Sequence, residues 1–430
     1  MEKINRKIIN DLKYFLILLG SQSISQLGSS MTSFALIIWA YQKNGTVMSI
    51  SMLSICTYLP YILVSVFAGT LIDKWNKKAV MLISDSIAAI CTLCVLILYS
   101  TDLMQLWHLY IINTLLGLMN AFQSPASNVA ITLIVPKEQY SRVSGLQSLS
   151  NSALTTFAPI FATTIISLKG MQAILIIDLI AFFIAFALLL FINIPNNGGI
   201  NDRNKKYKFF SECKKGFVYL LREKGLLYLI VFMSIVNLLG SMAYNSVLPA
   251  MILSRTNNNE MVLGFITSAI GVGGIIGGIM VTLMKPPKSR VKTIFNSCAL
   301  SFLLCDVLLG ASKNIYVWLF GAFAGNIAIP FLNSSEISIL RTKIPVDIQG
   351  RIFSIRSAIQ FSTIPLGYLL GGILSDKVFE PLMVKSLLMQ HTIGKIVGIG
   401  RGSGMAIIFL IVGMIGFLFS MTFKHNPKIS

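Results

Sequence analysis

Charged residues are scarce in this chain of 430 residues, and acidic residues are the scarcest of them. Asp, Glu, Lys and Arg together make up 12% of the sequence, and Asp and Glu number only 16. An ordinary soluble domain carries about 25% charged residues. Because 55% of the positions are instead hydrophobic, the composition indicates a membrane protein.

The residue patterns that most enzymes need are missing as well. Only three histidines occur, and His108, His391 and His425 all lie at or beyond the ends of apolar runs. No nucleophile–base arrangement and no GxxxxGK[ST] phosphate-binding loop is found. Five of the six cysteines fall inside apolar runs, so no disulfide framework is indicated. We therefore expect no catalytic site, metal, cofactor or built-in ATPase.

Long apolar runs dominate what is present. A bilayer core about 30 Å thick requires roughly 20 apolar residues per helix. Twelve runs meet this length, and they do not alternate as barrel strands would. They cover 13–41, 47–72, 79–100, 104–131, 146–167, 171–193, 226–253, 261–284, 293–311, 314–340, 357–382 and 402–423. The prediction is an all-α membrane protein with 12 transmembrane helices.

Basic residues concentrate on one predicted side of the membrane. The net charge is +19, and 27 of the 35 Lys and Arg lie in segments that face the same side. Basic residues are retained in the cytoplasm, so both termini are predicted to be cytoplasmic. This distribution favours a bilayer with an anionic inner leaflet as the partner and argues against nucleic acid. The abundance of Lys, Asn and Ile fits a bacterial plasma membrane.

A short polar segment occurs twice, 209 residues apart. The copies span 134–153 and 343–362. The matching positions are Pro136 with Pro345, Glu138 with Asp347, Arg142 with Arg351 and Ser148 with Ser357. Internal repeats of membrane helices are how many carriers build two alternately open states. The repeat therefore points to a transporter.

One long polar interruption separates the two halves. It begins at Pro195, is rich in Gly and Asn, and becomes amphipathic and basic over 209–226. Such a segment is typical of a helix lying on an anionic membrane surface. The predicted organisation is a six-helix bundle over 1–194, a linker over 195–225 and a second six-helix bundle over 226–430.

Four of the acidic residues inside predicted spans are singled out as candidates. They are Asp85, Asp178, Asp306 and Glu336. An ionised acid at mid-bilayer costs about 2.5–3.5 kcal/mol, whereas a proton-driven carrier needs a carboxyl group that binds and releases a proton. All four are therefore candidates for proton coupling, with Asp178 and Glu336 favoured over Asp85 and Asp306, and structural pairing is the alternative for each. Asp85 would pair with the basic loop before it, and Glu336 with Arg341 or Arg356.

Amides and a tyrosine at mid-depth are candidates for lining a substrate cavity, because drug-binding cavities combine apolar walls with few polar groups. The alternative for each is hydrogen bonding between helices. These candidates are Gln22, Gln26, Asn120, Gln123, Asn237, Tyr244, Asn245, Asn326 and Asn333. Among small residues, the glycine run of 271–278 has the spacing of close helix packing.

The loop after the second run carries the most specific local motif. Gly69 is followed by Asp73 and then by a basic cluster. The cluster consists of Lys74, Lys77 and Lys78. This segment resembles the signature loop of the major facilitator superfamily, GxxxDRxGRRx, in which the Asp and the basic residues latch the two halves together on the cytoplasmic side. Asn76 stands where that family prefers Gly, and Asn tolerates positive φ.

The resemblance extends over nearly the whole chain. The repeated segment with Arg142 and Arg351, the stretch from Pro365 to Leu382, and the Gly-rich start of the last run together resemble the drug:H+ antiporter branch typified by macrolide efflux proteins. That resemblance implies a monomeric secondary transporter that exports amphipathic or hydrophobic small molecules in exchange for protons. Export of an endogenous metabolite, siderophore or lysolipid is the alternative. A membrane sensor or scaffold of the same fold is a further one.

Overall fold

The computed structural model describes residues 2–136, 139–192, 194, 217–285 and 287–424, which form helices and no strand. The long helices are α1 (Glu2–Asn44), α2 (Val47–Lys74), α3 (Lys77–Ser100), α4 (Leu106–Ile134), α5 (Tyr140–Phe191), α6 (Lys224–Arg255), α7 (Glu260–Leu283), α8 (Arg290–Ala311), α9 (Ile315–Lys343), α10 (346–385) and α11 (Ser403–Lys424). Shorter helical turns occupy 217–222, Leu387–His391 and Gly394–Val397. Most of the predicted linker and its amphipathic segment lie outside the described residues.

The chain divides into two compact units. The first comprises Met1–Trp39 and Cys56–Asn204, and the second comprises Ala40–Ile55 and Lys205–Ser430. The end of α1 and the start of α2 therefore pack with the second unit. Asp376 in α10 explains part of this packing, because its two carboxylate oxygens accept hydrogen bonds from the backbone amides of Val47 (3.0 Å) and Met48 (2.8 Å). These amides belong to the first turn of α2, where no intrahelical acceptor exists.

Helix α5 reverses direction at Gly170, whose φ of 76° is available to glycine without steric cost. Val143 near the start of α5 and Leu189 near its end belong to the same hydrophobic cluster. The two ends of α5 therefore lie at the same end of the first unit. The break falls between the predicted runs 146–167 and 171–193, so the two-run prediction for this region matches the backbone.

Nine helices of the described chain qualify as membrane spans by length and hydropathy. Each of the twelve predicted runs lies within a described helix or extends beyond its end by about two residues at most, but α5, which holds two runs, is counted once among the nine. Helices α1 and α4 are not among them, because amide and hydroxyl side chains recur along both and lower their hydropathy. The multi-pass character is established by these helices, while twelve crossings and cytoplasmic termini stay predictions.

Three π-helical segments interrupt helices of the second unit. They occupy Ser241–Val247 in α6, Phe302–Val307 in α8 and Leu374–Phe379 in α10. A π-helical turn shifts the side chains that follow it around the helix axis, and such turns are frequent at functional sites. Each of the three carries a polar residue with a long-range partner, namely Tyr244, Asp306 and Asp376.

Close packing of α7 against α9 depends on two glycines of the predicted run. A Cβ atom at Gly273 would collide with the carbonyl oxygen of Phe323, and one at Gly277 would collide with that of Ile327. In contrast, a Cβ atom at Gly274 or Gly278 would meet no atom within 4 Å. The small-residue spacing is therefore needed on only one face of α7.

We expect Gly277→Ala to destabilise the protein and Gly278→Ala to leave it intact. The added methyl group at residue 277 has to push α7 and α9 apart, and overpacking of this kind costs about 1–3 kcal/mol. At residue 278 the change removes a helix-destabilising glycine, which is worth up to about 1 kcal/mol. Thermal unfolding of the detergent-solubilised variants measures both effects. Equal melting temperatures for the two variants would contradict the packing described above.

Candidate functional site

The candidate site residues are four buried acids together with their hydrogen-bond partners. Each acid and its partners form one cluster, and each unit contains two clusters. Asp85, Asp178, Asp306 and Glu336 all have less than 5% of their surface exposed. The residues described contain no group of three or more His, Cys, Asp and Glu side chains placed to hold a metal ion. Each acid is therefore best understood from its own hydrogen-bond partners.

Asp85 joins three helices of the first unit through two amides. Gln22 of α1 donates to Oδ2 of Asp85 at 3.4 Å, and Gln123 of α4 donates to Oδ1. Gln123 also donates to the side-chain oxygen of Gln22 at 3.3 Å, which closes the triangle. The sequence alone suggested pairing of Asp85 with the basic loop, but its described partners are these two neutral amides. Two candidate cavity residues and one candidate coupling residue thus meet at one point.

Asp178 in the second arm of α5 is surrounded by hydroxyl groups. Thr32 and Thr92 donate to its Oδ2 at 2.8 and 3.1 Å, and Ser29 donates to its Oδ1 at 3.2 Å. A Cβ atom at Gly28 would lie 2.7 Å from Oδ1 of Asp178, so the glycine allows α1 to approach this carboxyl group. The partners are again neutral, and they come from α1 and α3.

Glu336 in α9 is the one acid of the four for which the described residues include a paired cation. The Nε and Nη2 atoms of Arg356 contact its two oxygens at 2.9 and 2.7 Å, which is a bidentate geometry. Gln360, one turn after Arg356 on α10, donates to Oε1 at 2.8 Å. Glu336 is fully buried and Arg356 is 19% exposed. Of the two arginines proposed from sequence, the one observed to pair with Glu336 is Arg356.

Asp306 and Tyr244 connect two π-helical segments of the second unit. The tyrosine hydroxyl donates to Oδ2 of Asp306 at 3.1 Å. The other oxygen, Oδ1, is buried and has no hydrogen-bond partner among the residues that the structure describes. An ionised carboxylate left in this state in an apolar interior is costly.

The remaining cavity candidates divide into bonded and exposed residues. Asn237 donates to the carbonyl oxygen of Gln360 at 3.3 Å, Asn245 to the hydroxyl of Tyr368 at 3.1 Å, and Asn326 to the carbonyl oxygen of Ala322 at 2.8 Å. Three other candidates are exposed on the described chain: Gln26, Asn120 and Asn333. Helix–helix bonding thus accounts for Asn237 and Asn245.

The signature loop is described only in part. The structure does not describe the burial or the side-chain contacts of five predicted residues. They are Gly69, Asp73 and Lys74 in this loop, and Arg142 and Arg351 in the repeated segment. Lys77 is buried, and Lys78 donates to the carbonyl oxygens of Leu190 (2.7 Å) and Ile192 (3.0 Å) at the end of α5.

Asn76 in this loop does not use the positive φ that its type allows. Its φ is −70°, and its side-chain oxygen accepts from the amide of Ala79 at 3.1 Å. Asn76, which stands where the family prefers Gly, is therefore the N-cap of α3. Its side chain stabilises the start of the helix by this hydrogen bond.

Sequence reasoning missed two acids in the eleventh predicted run. Asp376 caps α2, and Glu380 accepts a hydrogen bond from the amide of Met405 at 3.2 Å. The signal was present in the sequence, since Gly372 to Lys377 repeats the Gly-x-x-x-Asp-Lys spacing of Gly69 to Lys74. Gly372 has the packing that this spacing implies, because a Cβ atom there would lie 2.7 Å from Oγ of Ser51.

Residues 18–288 match the model of the Major Facilitator Superfamily, which is more than half of the chain. The chain belongs to this superfamily. It is 24% identical over 384 residues to macrolide efflux protein A of Streptococcus pyogenes, covering 88% of this chain and 92% of that protein. It is 22% identical over 374 residues to the multidrug efflux pump Tap of Mycolicibacterium fortuitum, with 84% and 89% coverage.

Solved structures agree with the superfamily fold. The nucleoside transporter NupG superposes with a TM-score of 0.67 at 14% identity, covering 95% of this chain and 98% of that one. An identity this low supports the fold alone. The chain is thus a multi-pass membrane protein with the Major Facilitator Superfamily transporter fold, and the four acid clusters are features of that fold's interior.

We expect Arg356→Gln to reduce the yield of folded protein sharply. Loss of the guanidinium leaves Glu336 buried without a cation, and breaking a buried pair in this way costs about 3–5 kcal/mol. The double variant Glu336→Gln, Arg356→Gln removes both charges, so it is expected to recover most of the lost stability. Size-exclusion profiles and melting curves of the purified variants report the difference. A single variant as stable as the parent protein would contradict this account of the pair.

Proposed function

We propose that this protein is a secondary active efflux transporter that exports amphipathic or hydrophobic small molecules of the macrolide type. The observation that carries the proposal is the similarity over 88% of the chain to a protein named for macrolide efflux. The match to a multidrug efflux pump over 84% of the chain supports the same class of substrate. The superfamily fold supports alternating access between two six-helix bundles, with both termini in the cytoplasm.

The sequence contains no phosphate-binding loop for ATP, which leaves an ion gradient or the substrate's own gradient as the source of energy. The buried acids favour a proton gradient. Three of the four buried acids have only neutral donors within the described chain, so no cation fixes them in the ionised form. Asp85 is the coupling residue we favour. An amide can present either its N–H or its oxygen, so Gln22 and Gln123 can stabilise the ionised acid or, after rotation, the protonated one.

Polar side chains near Asp85 are more exposed than the acid itself. Gln123 is only half-buried and Gln26, one turn after Gln22 on α1, is exposed. A change of protonation at Asp85 would break and remake bonds to α1 and α4 together. This links proton binding to the helices that carry most of the polar candidates in the first unit.

Efflux is tested by drug susceptibility of a bacterial host without its own macrolide pumps. Expression of the protein is expected to raise the inhibitory concentration of macrolides several-fold, and a protonophore is expected to abolish the export of a labelled macrolide. If drug susceptibility is unchanged and the protein instead exports an endogenous metabolite, a siderophore or a lysolipid, then macrolides are not its substrate. No transport of either kind would favour a membrane sensor or scaffold of the same fold.

We expect Asp85→Asn to abolish transport driven by a proton gradient while exchange of substrate down its own gradient continues. The asparagine amide has nearly the same size as the carboxyl group and still forms hydrogen bonds. It cannot bind and release a proton in the same pH range. Everted vesicles with an imposed gradient measure the first activity, and counterflow measures the second.

Asp102→Asn is the matched control for this experiment, because Asp102 is exposed and has a φ of 56° that Asn also accepts. Full gradient-driven transport by Asp85→Asn would exclude Asp85. Asp178→Asn and Glu336→Gln are then tested in the same assay, and Asp306→Asn after them. The proposed latch predicts that Asp73→Asn lowers efflux without lowering the yield of protein.

A further inference from the structure

Two adjoining cavities lie at one end of the second unit. The larger has a volume of about 560 Å³ and the smaller about 440 Å³, and both are lined by Pro287 and Arg290. The larger cavity is formed by the first residues of α6 and α8 and the last residues of α9. Because three apolar spans begin or end there, the cavity lies at the boundary between the membrane and water.

Together the two cavities follow one helix. The smaller cavity is lined by residues of α9 from Phe331 to Ser338, and the larger by residues from Ile339 to Lys343. At about 1.5 Å per residue, this part of α9 is about 18 Å long. The combined groove is therefore long enough for a phosphate headgroup and the upper part of an acyl chain.

The polarity of the groove changes along its length. The larger cavity has Lys288, Arg290 and Lys343 at its edge, against a single acid, Glu223. Its floor is apolar and is built from Leu226, Leu229, Val291 and Ile339. Deeper along α9, the smaller cavity is lined by Val281, Met284 and Phe331, together with Lys285 and several hydroxyl groups.

Three cations of the larger cavity have no ion-pair partner within the described part of the chain. Lys288 and Lys343 are exposed, and Arg290 is half-buried between the two cavities. An unpaired guanidinium in a partly apolar site is unfavourable unless an anion reaches it. A guanidinium also matches the geometry of a phosphate group with two parallel hydrogen bonds.

We propose that this groove binds an anionic phospholipid. The phosphate lies among Lys288, Arg290 and Lys343, and an acyl chain follows α9 towards Phe331. Basic pockets between transmembrane helices bind anionic headgroups in this way. Inorganic phosphate would satisfy the same cations, but it would leave the apolar floor and the deeper cavity unused. The retention of basic residues on one membrane face explains the charges but does not require a cavity.

Native mass spectrometry of the purified full chain tests the site without any transport assay. The protein is titrated separately with phosphatidylglycerol, phosphatidylcholine and inorganic phosphate. Phosphatidylglycerol is expected to bind about tenfold more tightly than phosphatidylcholine. The variant Arg290→Gln, Lys343→Gln is expected to lose this preference, which corresponds to about 1.4 kcal/mol, since it removes two of the three cations placed around the phosphate.

Two variants control for charge and for folding. Lys292→Gln removes an exposed cation of the same helix that lines neither cavity, and it is expected to keep the preference. Arg290→Lys, Lys343→Arg keeps both charges, and it is expected to retain most of the binding even if the neutral variant folds poorly. Equal binding of both lipids by the parent protein would overturn the proposal. The proposal would also be overturned if Lys292→Gln lost the lipid preference to the same extent. It would be overturned too if inorganic phosphate, at the same concentration as the lipid, completely displaced phosphatidylglycerol.

Discussion

In the hydrocarbon region of a membrane, a buried polar group can form hydrogen bonds only with other groups of the protein. The packing of helices in both units depends on this constraint. Water is not available inside the hydrocarbon region to hydrogen-bond an unpaired group. Asp85 is consequently held by two amides, Asp178 by three hydroxyls and Glu336 by an arginine and an amide. In each cluster the partners come from other helices, so the hydrogen bonds that satisfy an acid also fix how the helices pack.

The four buried acids differ in whether their partners carry a charge. Glu336 forms a bidentate ion pair with Arg356. Asp85, Asp178 and Asp306 hold neutral donors within the described chain, and their charge is therefore less strongly stabilised. Acids with neutral partners are the ones we propose for proton exchange. The arrangement around Asp85 adds a further property, because amide partners can serve either protonation state.

Glycine has a comparable role where backbones approach each other. Gly273 and Gly277 bring α7 against α9, Gly28 brings α1 to Asp178, and Gly372 brings α10 to α2. The π-helical segments then reorient Tyr244, Asp306 and Asp376 towards their partners. The basic residues of the groove beside α9 likewise follow from its position, since basic residues collect where apolar spans end.

Much of the fold was predictable from the sequence because bilayer thickness sets the length of each apolar run. The runs, the break near residue 170, the signature loop and the superfamily resemblance all follow from local composition and spacing. The pairing of Glu336 was predictable only as a choice between two arginines. The Gln22–Asp85–Gln123 triangle, the Asp306–Tyr244 contact and the capping of α2 by Asp376 were not predicted. These contacts join residues between 38 and 329 positions apart, and they depend on the rotation of each helix about its axis. Hydropathy does not encode that rotation, so only the tertiary structure decided which polar groups meet.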